Sequence, residues 1–378
     1  MEYREYTALS ARTSLLGFGC MRLPLREDGT IEREPARALL ERARQAGVNY
    51  FDTAWNYTGG DSEVFLGEIL PTWERESYYV ATKLPTFKVE TLEDAKAFFE
   101  EQLARLKTGY IDFYLLHTLN RDRFRKMAEL GVVDWCLDLQ RQGRIRRFGF
   151  SFHDTYPAFE EILSHHQWDF CQIQLNYLDR DEQAGMKGYE LAAAQGVPVV
   201  IMEPVKGGLL AALPEDLEEA LKAAAPGRSA ASWALRWVGA LPGVLTVLSG
   251  MSTMEQVEDN LATFEAFRPL AAGERALLER IAEQLRGRVN NGCTGCKYCM
   301  PCPAGVDIPE NFALWNLAAK SRNGSAAWRK WNELMEDAEK AKHCVGCGRC
   351  EEVCPQHIAV RADLARAQAE LDAVPRPC

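Results

Sequence analysis

Through the first 285 residues, short runs rich in β-branched and aromatic side chains alternate with longer amphipathic stretches. This alternation predicts parallel strands joined by helical crossovers. Eight strands are read: Leu16 to Met21, Tyr50 to Ala54, Tyr79 to Lys83, Asp112 to His117, Arg147 to Ser151, Phe170 to Asn176, Pro198 to Glu203 and Leu245 to Gly250. Between them the spacing predicts helices such as Arg33 to Gln45, Leu92 to Leu106 and Ser229 to Val238, several closed by glycine, as at Ala46-Gly47 and Gln142-Gly143. Eight strand-then-helix repeats read as an α/β fold of the (β/α)8 TIM-barrel type. Tyr3 to Leu15 precede the first strand and are expected to form a hairpin plugging the bottom of the barrel.

The pattern changes at Arg286 to Gly292, RGRVNNG, which is polar and turn-rich and marks the expected linker between a barrel over residues 1–285 and a small domain over 293–378. Beyond it lie two helical patterns, Glu310 to Ser321 and Ser325 to Lys342, with Phe312, Leu314, Leu317, Trp328, Trp331 and Leu334 on apolar faces. Asn323-Gly324-Ser325 matches a glycosylation sequon that would go unused in a cytosol.

Eight of the twelve cysteines flank those helices in two tight runs, Cys293, Cys296, Cys299, Cys302 and Cys344, Cys347, Cys350, Cys354, each followed by proline. The second run has the spacing with which bacterial ferredoxins hold iron and sulfur. The first departs slightly, with only Met300 and Pro301 between its last two cysteines. In ferredoxins with two such runs the fourth cysteine ligates the other cluster, so Cys302 and Cys354 are expected to be exchanged between two [4Fe-4S] centres. Zinc is the competing metal, but zinc sites pair CxxC knuckles rather than crowding four cysteines into ten residues. Disulfides would need an oxidising compartment, whereas residues 1–30 lack a charged start, an apolar core and a small-residue cleavage site. The expectation is a mainly helical, ferredoxin-like domain resembling the modules found beside many dehydrogenases. Cys20, Cys136 and Cys171 read as buried small hydrophobes and Cys378 as incidental.

The 378 residues are 47% hydrophobic without an apolar run that could span a bilayer. Net charge is -10, and from Cys293 onward 11 Lys plus Arg balance 11 Asp plus Glu, so the excess negative charge belongs to residues 1–292. Nucleic acid and membrane are excluded as expected partners. Electrostatics does not single out a redox protein partner, which stays open. Two oxidisable clusters point to a low-oxygen prokaryotic cytoplasm.

Catalytic side chains of a TIM barrel sit at the C-terminal ends of its strands. Asp52 and Tyr57 follow the second strand in FDTAWNY, Lys83 ends the third in YVATK, and His117 ends the fourth in DFYLLH. Each interrupts an apolar run, where an unpaired charge is costly. Trp55 and Met21 are expected to line a pocket beside them.

With these residues the chain resembles the aldo-keto reductase family over nearly all of residues 1–285: DTAWNYTGGDSE is similar to that family's signature, and ATK and LLH follow in order. The resemblance implies a tetrad of Asp52, Tyr57, Lys83 and His117, in which Tyr57 protonates a carbonyl oxygen as nicotinamide delivers hydride. A phenol, with a pKa of about 10, needs the help of a cation such as Lys83 held by Asp52. The resemblance further implies that Ser151 and Gln172 hold the nicotinamide carboxamide, with Phe152 where an asparagine is usual, so that either His153 substitutes for it or one hydrogen bond is absent. Met202 takes the place of a stacking aromatic ring, and Glu203-Pro204-Val205-Lys206 resembles the loop over the pyrophosphate. Gly250, Ser252, Gln256, Asp259 and Asn260 are the implied contacts of the adenosine end. Met251 places no basic side chain by a ribose 2'-phosphate, which Lys206 is left to reach. NADP(H) is expected ahead of NAD(H).

Hydride transfer moves two electrons together, whereas each cluster accepts one. No flavin fingerprint bridges the two: residues 1–60 lack GxGxxG after a strand. The favoured reading is a nicotinamide-dependent oxidoreductase acting on a small carbonyl or alcohol, its clusters serving electron transfer, regulation or structure. The alternatives are a cluster-dependent electron-transfer enzyme, with or without flavin, and a redox or nicotinamide sensor like the potassium-channel beta subunits that share this barrel.

Overall fold

The computed structural model describes residues 1–320 and 325–375. Asn323 and Gly324 of the sequon and Cys378 lie outside the described residues. Two strands, β1 (Tyr3–Tyr6) and β2 (Ala11–Ser14), form an antiparallel hairpin. Eight more follow: β3 (Leu16–Gly19), β4 (Tyr50–Asp52), β5 (Tyr79–Leu84), β6 (Ile111–Leu119), β7 (Ile145–Phe152), β8 (Phe170–Gln174), β9 (Val199–Met202) and β10 (Val244–Ser249). All eight pair in parallel and close on themselves in the order β10, β3, β4, β5, β6, β7, β8, β9, the expected (β/α)8 barrel. Closure pairs Ser249 with Phe18, and the same ladders pair Gly19 with Asp52 and Gln174 with Met202. The polar residues at the strand ends therefore emerge around one rim.

The expected strands and helices form because their patterns match burial. All nine residues of β6 are buried. Helix Arg33–Gln45 turns Ala36, Leu39, Leu40 and Ala43 inward, and helix Leu92–Leu106 starts at a capping box of Thr91 and Asp94. At the opposite end of the barrel, Leu9 and Ala11 pack with Tyr50, Phe113, Phe170 and Leu245. The hairpin is tied there by Arg147, whose buried guanidinium donates to the carbonyls of Leu9 (2.8 and 2.6 Å) and Ser10 (2.8 Å) and lies 4.9 Å from the Phe113 ring centre.

The chain divides into two compact units that interleave in sequence: Met1–Pro204 with Ser232–Leu270, and Val205–Ala231 with Ala271 onward. The second unit gathers Val306, Phe312, Trp315, Trp331, Val360, Leu364 and Leu371 into its own core. Buried asparagines satisfy its irregular backbone: Asn316 accepts from the amides of Asn290 and Asn291, and Asn291 in turn accepts from the amide of Cys293. Arg288 forms a two-pronged ion pair with Asp216 at 2.7 and 2.8 Å. Gly207, at φ +61°, lies so close to Thr294 that a Cβ would overlap that residue's carbonyl oxygen.

The expected helix Ser325 to Lys342 ends early. Its regular part is Ser325–Arg329, followed by a wider turn over Lys330–Leu334 and short 3-10 turns. Tertiary hydrogen bonds outweigh helical propensity here: the carbonyl of Glu339 accepts from the Asp307 amide and the Asn311 side chain, and Asn311 accepts from the Ala341 amide. Among the described residues no helix is long and apolar enough to cross a membrane.

Arg147→Met should leave the Leu9 and Ser10 carbonyls without their buried donor. The expected loss is about 2–3 kcal/mol of unfolding free energy in a denaturant titration, with the barrel otherwise intact.

Candidate active site

Asp52 ends β4, Tyr57 stands in the turn that follows, Lys83 is the penultimate residue of β5, and His117 lies near the end of β6. Parallel pairing of these three strands brings all four side chains to one rim, with exposures of 2, 9, 1 and 2% respectively. Lys83 Nζ donates to Asp52 Oδ1 at 2.6 Å, to the Thr53 carbonyl at 2.6 Å and to Tyr57 Oη at 3.3 Å. A lysine ammonium has three N–H bonds, and each finds an acceptor. The Tyr57 and His117 rings meet edge-on with centres 6.0 Å apart.

Burial sets the electrostatics. It pushes Asp52 above the usual carboxylate range against the pull of Lys83, and Lys83 below ordinary lysine values against the pull of Asp52. Asp52 Oδ2 has no hydrogen-bond partner among the described residues, in keeping with the carboxylate's discomfort. His117 is held well below its ordinary value, first by burial and then by the nearby Lys83 charge, so its imidazole is neutral at physiological pH.

Behind Lys83 lies a buried network of which only Glu63, the last residue of the DTAWNYTGGDSE signature, was singled out in the sequence. Glu63 accepts from Thr82 Oγ1 (2.5 Å), Gln102 Nε2 (2.7 Å) and Arg105 (3.2 Å). Gln102 also donates to the Lys83 carbonyl (3.1 Å) and accepts from Tyr114 (2.9 Å). Backbone and side chains on both flanks of the lysine are thus fixed. Arg105 further donates to the Trp55 carbonyl, and the Trp55 indole donates to Glu101 at 2.8 Å. Trp55 and Met21 are both half-buried.

The residues implied for a dinucleotide are distributed as follows. Ser151 is the penultimate residue of β7 and accepts from the Thr118 amide at 2.8 Å. Gln172, in the adjacent β8 and paired with Ser151, is 1% exposed, and its Oε1 has no partner among the described residues. A buried carbonyl oxygen of this kind is suited to an amide N–H, which nicotinamide carries. His153 Nδ1 is 3.2 Å from Gln183 Oε1 and opens a chain through Gln174, Asp179 and Asn176, partners that the sequence did not reveal because they lie at and beyond the end of another strand, β8. Met202 ends β9 half-buried, and Glu203 follows at φ +54° with its carbonyl taken by Asn176. Pro204 closes that stretch of the first unit, whereas Val205 and Lys206 belong to the second. After β10, Gly250 is exposed and Met251 fully buried. Ser252 donates through Oγ to the Arg22 carbonyl at 2.6 Å and through its amide to Gln256 at 2.7 Å. Asp259 is half-buried, and Asn260 turns inward to Ser249 at 2.7 Å.

In the second unit the eight cysteines of the two runs are unbridged. They line two cavities, and the membership is crossed. Cys293, Cys296, Cys299 and Cys354 line one; Cys302, Cys344, Cys347 and Cys350 line the other, with Cys299 also on its wall. Burial and the neighbouring Cys296, Cys293 and Cys354 push the Cys299 thiol up to about 12. Four cysteine sulfurs around each cavity are the donor set a cubane requires.

Residues 15–283 match the model of the aldo/keto reductase family, and residues 292–359 match that of a 4Fe-4S dicluster domain. An uncharacterised oxidoreductase from Bacillus subtilis, YqkF, is 29% identical over 71% of this chain and 92% of its own. An NADH-specific methylglyoxal reductase from Escherichia coli is 25% identical over 68% of this chain and 90% of its own. The holo form of an aldo-keto reductase from Bacillus halodurans superposes with a TM-score of 0.61 at 28% identity, covering 74% of this chain and 96% of that one.

Because His117 is neutral when folded but titrates near 6.5 when unfolded, acid favours the unfolded chain. The contribution is complete above pH 6.5 and is lost progressively below it. Unfolding free energy measured at successive pH values should therefore fall less steeply below pH 6.5 in His117→Gln than in the parent protein.

Proposed function

The chain belongs to the aldo/keto reductase family, and on that premise we propose that it reduces a small carbonyl compound, or oxidises the matching alcohol, at the rim that holds Asp52, Tyr57, Lys83 and His117. The observation that carries this reading is the Lys83 ammonium, bonded at once to Asp52, the Thr53 carbonyl and the Tyr57 hydroxyl. Bound nicotinamide supplies or accepts the hydride. Tyr57 gives its proton to the carbonyl oxygen, and the neighbouring ammonium stabilises the negative charge left on the phenol oxygen. Asp52 keeps that ammonium in place. Neutral His117 can donate an N–H to the same carbonyl oxygen and orient it. Gln172 and Ser151 suit the carboxamide, and the segment from Gly250 to Asn260 suits the adenosine end. NADP(H) is preferred to NAD(H). The E. coli relative makes small oxo-aldehydes such as methylglyoxal the first substrates to try.

The second unit holds two [4Fe-4S] clusters on this reading, one by Cys293, Cys296, Cys299 and Cys354, the other by Cys302, Cys344, Cys347 and Cys350. Crossed ligation is supported by the two cavities and their shared Cys299 wall. Centres that close can exchange single electrons, which supports a second reading in which the clusters feed or drain a redox reaction.

Tyr57→Phe should lower carbonyl reduction by roughly 10²–10⁴-fold while leaving nicotinamide binding intact, as read by steady-state rates beside a fluorescence titration. Unchanged turnover would remove Tyr57 as the acid. In an anaerobic titration of the cluster-replete protein with NADPH or NADH, without carbonyl, the clusters should stay oxidised by paramagnetic resonance. Their reduction would instead establish the electron-transfer reading.

A further inference from the structure

β6 does not keep its register with β7 to the end. Leu116 stands opposite Phe150 and Leu119 opposite Phe152, so β6 carries one residue more than its partner over this stretch. The bulge falls on His117 and Thr118, and Thr118 takes the left-handed conformation, φ +50°, at 3% exposure. A β-branched side chain there is strained and persists only where its surroundings impose it.

Hydrogen bonds impose it from both sides. In the peptide joining the two residues, the His117 carbonyl accepts from Thr86 Oγ1 at 2.6 Å and the Thr118 amide donates to Ser151 Oγ at 2.8 Å. The next peptide is held by one side chain: a single guanidinium nitrogen of Arg123 donates to the Thr118 carbonyl at 2.9 Å and to Thr118 Oγ1 at 3.0 Å. Arg123 is seated in the first turn of helix Arg121–Glu129, where its amide donates to the capping Asn120 side chain at 2.8 Å. Beyond the bulge Leu119 is tied down as well, its carbonyl accepting from the His153 amide at 2.9 Å. A Thr118 that relaxed to negative φ would have to turn the peptide behind it, and His117 with it. We propose that Arg123 is a positioning residue for His117: by pinning Thr118 in the left-handed bulge it fixes the direction in which the imidazole meets the substrate carbonyl. The Phe87 ring centre, 6.0 Å from the Arg123 guanidinium and 6.0 Å from the His117 ring centre, fills the space between them. The proposal rests on the carbonyl-reducing reading above and adds to it a residue that acts through the backbone.

The test compares Arg123→Met, which keeps the stem and removes the donors, with the same change in a Thr118→Gly background, where glycine takes the left-handed conformation without strain. All proteins are prepared anaerobically with their clusters in place. In reduction of methylglyoxal by NADPH, Arg123→Met should lower kcat about 10- to 100-fold, and the double variant should return to within about fivefold of Thr118→Gly, since a displacement of about 1 Å at a positioned group costs on the order of 100-fold. If Arg123→Met does not fold, Arg123→Lys replaces it in both backgrounds, with a loss of about 3- to 10-fold, because one ammonium substitutes poorly for the planar fork. The second readout needs no turnover. The nitrogen-15 resonances of the His117 imidazole, assigned with His117→Gln, should shift in the Arg123 variant and revert in the double variant. An unchanged kcat would overturn the proposal. So would a loss and a resonance shift that both persist with Thr118→Gly, which would assign the effect to the Arg123 charge or to Phe87. Absence of turnover in the parent protein would instead sink the carbonyl-reducing reading, and the resonances alone would then decide whether Arg123 positions His117.

Discussion

A lysine ammonium buried at the end of β5 is the constraint around which the barrel rim is arranged. An isolated charge at 1% exposure is untenable, so the chain must deliver three acceptors to it. Two arrive from the end of β4, as the Asp52 carboxylate and the Thr53 carbonyl, and the third is the Tyr57 hydroxyl from the turn beyond. Parallel pairing in register supplies all three only if β4, β5 and the turn keep their relative heights. The Glu63, Gln102 and Tyr114 network holds those heights from behind. Stability and the proposed chemistry are joined here: the acceptor the ammonium needs in order to be buried is the same hydroxyl that the proposed reaction makes the proton donor.

The fold was legible because burial writes a period into each strand and helix. All eight barrel strands, the leading hairpin and helices Arg33–Gln45 and Leu92–Leu106 sit where the apolar spacing places them. The tetrad candidates were legible for a related reason, since a charge ending an apolar run is conspicuous. Polar groups that satisfy one another were not. Gln102 and Asp179 each look like ordinary surface residues of a helix or loop, and only their convergence in space with Glu63 and Gln174 shows that they are buried partners. Likewise, nothing local in Ser325 to Lys342 foretells that Asn311, far back in the chain, will draw Glu339 and Ala341 out of a helix.

The cysteine runs lie between these extremes. Their spacing announces iron and sulfur, and crossed membership was expected by likeness to two-cluster ferredoxins. Cys354 lines the cavity of the first run and Cys302 that of the second, with Cys299 on both walls. On the proposed crossed ligation each run alone would be an incomplete set, and the helices between them, with Phe312, Trp315 and Trp331 in their core, would double as the clamp that keeps the fourth donor of each pocket in reach.

The interleaving of the two units bears on how such a chain could arise. Residues 205–231 sit in sequence between two barrel strands but pack with the residues after 270, through Gly207 against Thr294 and Asp216 against Arg288. Joining a ferredoxin gene to a reductase gene at a single point would supply the tail without the piece that fits it. Any transfer of the second unit to another barrel would have to carry both segments, across three separate junctions.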